Sequence, residues 1–143
     1  MCRRTIAMLA GTALLVSACG STDPAIVNPR PAAPVNLTVF IDNSSVSVSP
    51  STVGAGPVEF IITNQATQTE SLAVLPAGAS AGQPLANTGP INPQGTAQVT
   101  VDFSHPGRYS VATGSAGAGS SIRAALVRVG HQRASSDNQL LQP

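Results

Sequence analysis

The side chains able to do chemistry are few in this 143-residue chain. His105 and His131 are its two histidines. Its two cysteines, Cys2 and Cys19, and its two methionines, Met1 and Met8, lie within the first nineteen residues. A blue-copper centre needs two imidazoles and a thiolate converging, with a weak axial thioether. Residues 20–143 offer the imidazoles and no sulfur. Two histidines and a carboxylate such as Glu70 are a minimal set for zinc or copper(II), yet no short ligand spacing joins them, and both histidines read as solvated. Gly78-Ala79-Ser80-Ala81-Gly82 matches the nucleophile-elbow string, but that motif needs a strand, a sharp turn and a helix. Gln83-Pro84 follows, and no helix is readable. Asp102 and His105 are neighbours among many serines, but nothing marks an oxyanion site. The glycines at 114, 117 and 119 lead into a strand and not into the helix that a phosphate-cradling loop would open. Glu59 and Glu70 flank a strand and turn and read as solvated carboxylates. The residues therefore predict no catalytic, cofactor-binding or metal-binding set.

The elements that would position these groups are all strands. Val35, Leu37, Val39 and Ile41 alternate with Asn36, Thr38 and Phe40, the period-2 pattern of a half-buried strand. Val46 and Val48 alternate with serines, and Val58, Phe60 and Ile62 share one face of a strong strand. Leu72 to Leu75 forms a short apolar one. In 96–113, Ala97, Val99, Val101 and Phe103 alternate with polar residues, Ser104-His105-Pro106-Gly107 supplies a turn, and Tyr109 and Val111 resume the alternation. Residues 122–129 close the domain. Residues 50–57 and 76–93 read as loops, and 114–121 as a flexible hairpin loop. Seven short strands punctuated by Gly and Pro in about 95 residues predict an all-β Greek-key β-sandwich over 35–129. Tyr109 is placed for a tyrosine corner, its hydroxyl bonding back into the preceding loop. Residues 130–143 form a polar C-terminal tail that reads as a frayed terminus; docking through Leu140-Leu141 is the competing reading.

The N-terminus resembles a bacterial lipoprotein signal. Arg3-Arg4 makes a basic n-region, and Thr5 to Val16 is apolar but too short to span a bilayer. Leu15-Val16-Ser17-Ala18-Cys19 then places a small residue directly before the cysteine. The resemblance implies a signal peptide at 1–18, acylation of Cys19 (palmitate among the chains), and anchorage to the outer face of the bacterial cell membrane after export. A secretory signal with an incidental cysteine is the competing reading; Arg3-Arg4-Thr5-Ile6 also faintly resembles a twin-arginine signal. Residues 19–34 hold Pro24, Pro29, Pro31 and Pro34 and read as a tether, able to raise the domain roughly 40 Å above a membrane at polyproline spacing. Beyond residue 18, five arginines oppose six carboxylates, with no lysine anywhere. No basic patch points to nucleic acid, and no disulfide can form within the mature domain.

Residues 35–129 resemble a cupredoxin, the copper-type Greek-key sandwich, in two patterns. The strand Val58-Glu59-Phe60-Ile61-Ile62-Thr63-Asn64 ends in Asn, and the resemblance places a copper-binding histidine six residues later, at Glu70. Pro106-Gly107-Arg108-Tyr109 leads, four residues after the tyrosine, to the position of the family's copper cysteine, which here is Thr113. The second histidine and the methionine would fall near Ala118 and Arg123. No family ligand stands at any of these positions. The expectation is a cupredoxin-like scaffold without a type 1 copper site. Its expected role is that of a non-enzymatic binding or structural module at the cell envelope, with an envelope protein as possible partner. Copper binding or electron transfer through unorthodox ligands (His105, His131, Glu70) is the alternative. A hydrolase using Ser80 is the third reading.

Overall fold

The structure is a computed structural model that describes residues 32–78, 83–114 and 121–134. Eight strands are present among them: β1 Val35–Ile41, β2 Val46–Ser49, β3 Thr52–Asn64, β4 Leu72–Pro76, β5 Ala86–Asn87, β6 Thr96–Phe103, β7 Gly107–Thr113 and β8 Ala125–Gln132. No described residue is helical, and no described helix could cross a membrane. The strand not foreseen is β5, two residues paired to β4 inside the span read as a loop.

The fold is the expected all-β sandwich, and β3 ties its layers together. From Gly56 onward β3 pairs with β6 on one side, and from Val58 with β1 on the other, while β1 also pairs with β2. Before that, Thr52 to Ala55 pair with β8, and β8, β7, β4 and β5 continue the second layer. Residues 52–57, expected as loop, are thus strand. Their small side chains gave no strong alternation, yet Val53 and Ala55 are buried and face the core. The register shifts between Gly54 and Ala55 where β3 passes from one layer to the other. Gly56 at the crossing has φ +121°, a backbone that side chains other than glycine's rarely tolerate.

The core lies between the layers and follows the alternation. Leu37, Val39 and Ile41 of β1, and Val58, Phe60 and Ile62 of β3, are fully buried. So are Phe103, Val111 and Val127. Burial along β6 deepens from half-buried Ala97 and Val99 to Val101 and Phe103. The turn after Phe103 does not close a hairpin, because β6 belongs to one layer and β7 to the other. It is a corner between layers, and aromatic rings fill it. Phe103 packs 4.5 Å from Tyr109 and 6.2 Å, edge-on, from Phe60. The Tyr109 hydroxyl donates to the His105 carbonyl at 2.9 Å, the expected tyrosine corner.

The last strand runs further than expected, to Gln132 instead of residue 129. Arg133 follows, in the segment read as frayed, and is a clamp. Its amide donates to the Ala55 carbonyl at 3.0 Å. Its guanidinium donates to the carbonyls of Ala33 (2.7 Å), Ala55 (3.3 Å) and Pro57. A Cβ on Gly54 would lie 2.5 Å from Arg133 Cγ, so the glycine makes room for this side chain. Ala32, buried, and Ala33 are drawn onto the sandwich by the same contacts, so the foot of the expected tether is part of the domain.

Candidate functional site

The end of the sandwich where β1 and β3 finish gathers the positions singled out by the cupredoxin resemblance. Ile41 pairs with Asn64 there, and Leu72 pairs with Thr113. Asn64 is fully buried and organises the loops. Its side-chain Nδ2 donates to the carbonyls of Gln68 and Ile91, both at 2.8 Å, and its Oδ1 accepts from the Ala66 amide at 2.9 Å. Its amide donates to the Gly95 carbonyl at 2.9 Å, and its carbonyl accepts from the Gln94 amide at 2.7 Å. Gln94 is held at φ 63°, a left-handed backbone that a non-glycine residue enters only when its surroundings enforce it.

Glu70, at the expected histidine position, exchanges backbone hydrogen bonds with Ile91 (3.0 and 2.6 Å) and is half-buried. Thr113, at the expected cysteine position, is 4% exposed, and the next amide, Gly114, donates to the Ser71 carbonyl at 3.0 Å. The two positions therefore stand at one end of the fold. Ala118 lies outside the described residues. Arg123 is drawn toward the β1–β2 turn: its amide donates to Ser44 and its carbonyl accepts from Val46. Ala66, Ile91 and Ile122 are buried at this end and join the core.

The other candidates sit elsewhere. Gly107 pairs with Val129, so His105, two residues before β7, and His131, two after Val129, are at the opposite end from Thr113. The six residue steps of β7 span roughly 20 Å. His105, His131 and Glu70 consequently do not converge. Among the described residues no three His, Cys, Asp or Glu side chains are grouped to hold a metal ion. Ser80, Cys19 and Leu140-Leu141 lie outside the described residues.

One carboxylate at the Asn64 end has an altered proton affinity. Asp42, in the β1–β2 turn, accepts at Oδ1 from the Ser44 hydroxyl and amide (both 2.7 Å) and from the Ser45 amide (2.8 Å). Its Oδ2 accepts from the Ser45 hydroxyl at 3.1 Å. These donors, the Ser44 hydroxyl foremost, hold its pKa at about 2 against an ordinary 3.8. Because the folded value is the lower one, the turn's contribution to stability is complete above pH 3.8 and is lost as pH falls toward 2. An NMR titration of the Asp42 carboxyl carbon is expected to give a midpoint near 2, and Ser44→Ala to move it up toward 3.8.

Sequence reading missed Asn64 as a hub, Arg133 as a clamp, and the pairing of Arg108 with Arg128. An Asn at the end of an apolar strand is a usable signal for the first. The other two depend on a strand register that lies beyond a long loop.

Comparison with known proteins gives the fold its likeness. Auracyanin A, a "blue" copper protein from the green thermophilic photosynthetic bacterium Chloroflexus aurantiacus, superposes with a TM-score of 0.50 at 17% identity, over 68% of this chain and 100% of that one. Auracyanin B superposes with a TM-score of 0.50 at 17% identity, over 72% of this chain and 92% of that one. No protein-family model and no curated protein sequence matches the chain. At these identities the likeness is one of fold: a cupredoxin-like β-sandwich.

Proposed function

We propose that this chain is a lipid-anchored protein of the bacterial cell envelope, whose cupredoxin-like sandwich serves as a non-enzymatic binding or structural module without a type 1 copper site. The observation that carries the reading is Thr113. It is buried at the end of β7, beside the strand that follows Glu70, where the cupredoxin resemblance places the thiolate. A threonine hydroxyl in place of a thiolate supplies neither the strong copper–sulfur bond nor the electron-transfer chemistry that depends on it. The anchored part of the reading rests on the Arg3-Arg4, apolar run and Leu15-Val16-Ser17-Ala18-Cys19 series.

Two measurements on the expressed full chain test the two halves separately. Titration with copper(II) is expected to give no intense visible thiolate-to-copper band and no stoichiometric tight binding; the appearance of such a band, or of such binding, removes the copper-free half. Fractionation of producing cells is expected to find the protein in membranes and labelled by a fatty-acid probe. Cys19→Ala is expected to abolish the label and release the product. Labelling that survives the substitution removes the anchored half.

A further inference from the structure

Two cations face each other on the outer surface of the second layer. In the antiparallel β7–β8 ladder Arg108 stands directly opposite Arg128. Tyr109, Val127 and Val129 point inward, so both arginines project outward and are exposed. Directly opposed residues bring their Cβ atoms within roughly 5 Å, and like charges so placed are destabilising. On the far side of Arg128 the ladder continues to Thr52, and the Arg128 amide donates to the Ser51 carbonyl at 2.9 Å. Ser51, Thr52, Arg108, Leu126, Val127 and Arg128 line an open groove of about 230 Å³.

Nothing described in the chain neutralises the pair. The described carboxylates are elsewhere: Asp42 in the β1–β2 turn, Glu70 at the Asn64 end, Glu59 and Asp102 on the strands of the other layer. Arg108 and Arg128 make no side-chain hydrogen bond or ion pair among the described residues. Arg133, by contrast, spends its guanidinium on three carbonyls. In a chain with no lysine and five arginines beyond residue 18, two of the five stand side by side.

We propose that Arg108 and Arg128, with the hydroxyls of Ser51 and Thr52, form a binding site for a phosphoryl oxyanion. Each guanidinium offers a planar fork suited to two oxygens of phosphate. Two forks and two hydroxyls provide more donors than the two oxygens of a carboxylate can take, whereas a tetrahedral phosphoryl group presents oxygens to both arginines. Leu126, 56% exposed at the edge of the groove, offers an apolar surface to the organic part of an ester. The same chemistry serves free phosphate or a phospholipid headgroup. The site stands apart from the Thr113 end and does not depend on how the chain is anchored.

The test follows the thermal midpoint of the full chain in neutral detergent with inorganic phosphate, with glycerophosphoglycerol (the water-soluble headgroup of phosphatidylglycerol), and with sodium chloride at matched ionic strength. Either phosphate compound is expected to raise the midpoint by about 5 °C at ten times its dissociation constant, and chloride to leave it nearly unmoved. Arg108→Gln and Arg128→Gln are each expected to weaken binding at least tenfold, and Arg123→Gln, exposed at the opposite end, to leave it unchanged. Tighter binding of glycerophosphoglycerol assigns the site to a lipid headgroup, and tighter binding of inorganic phosphate to the free anion. Equal shifts from chloride and phosphate, shifts that survive both substitutions, or no shift from either phosphate compound overturn the proposal.

Discussion

Asn64→Ala is expected to lower the unfolding free energy by about 4 kcal/mol, because each buried group left without a partner costs roughly 1–3 kcal/mol. The truncation strips partners from two buried backbone groups, the Ile91 carbonyl and the Ala66 amide, and from the part-buried carbonyl of Gln68. The backbone bonds of residue 64 to Gly95 and Gln94 do not involve the side chain and remain available to alanine, so the loss isolates the side chain. Asn64→Asp is the sharper probe. It keeps the shape and the acceptor for Ala66, but turns a carboxylate oxygen toward two carbonyls. At pH 7 it should be at least as damaging as alanine and should recover as the carboxyl is protonated. Denaturant unfolding measures both, and amide exchange at Ala66 and Gln94 reports the local loosening. An alanine variant within 1 kcal/mol of the parent would show that the loops hold without the side chain.

Phe103→Ala is expected to cost about 4 kcal/mol, in the range of buried aromatic truncations. Phe103 is fully buried at the corner where the chain leaves one layer for the other, between Phe60 and Tyr109. Removing the ring opens a cavity on both of them and frees the ring whose hydroxyl holds the His105 carbonyl. Phe103→Leu fills most of the space and is expected to cost less than half as much. Equilibrium denaturation with an unchanged m-value separates this loss from a change in the unfolded chain. If alanine and leucine prove equally costly, edge-on ring packing and not volume sets the value of the site.

The strands were legible wherever one face is buried and the other wet, because such a strand alternates residue by residue. β1, β6 and β7 were readable for that reason, and Tyr109 was readable as a corner because its distance from the turn is local. The first residues of β3 were not legible. Gly54, Gly56 and Pro57 have the composition of a loop, and their reason is a side chain some eighty residues away, since Arg133 lies across them. The same non-local cause hid the end of β8 and the docking of Ala33. Pairing across layers was equally out of reach. The turn at residues 104–107 is compatible with a hairpin or with a corner, and only the partners of β6 and β7 decide between them. At the candidate site the sequence placed Glu70 and Thr113 at one end through a family likeness. The role of Asn64 needed the positions of Gln68 and Ile91, which no periodicity specifies.

Arg133 and the strand beside it also set how the domain takes a mechanical load. The clamp grips the chain at Ala33, immediately before β1. β1 then runs between β2 and β3, parallel to β3, toward the Asn64 end. A pull on the N-terminal segment, resisted by something gripping that far end, would act along the axis of β1. Its ladder bonds to both neighbours would be strained in shear, all together, and not peeled one after another. Of the guanidinium contacts, the one to the Ala33 carbonyl lies on the loaded segment, ahead of the ladder. The chain thus enters the sandwich along a strand held on both sides.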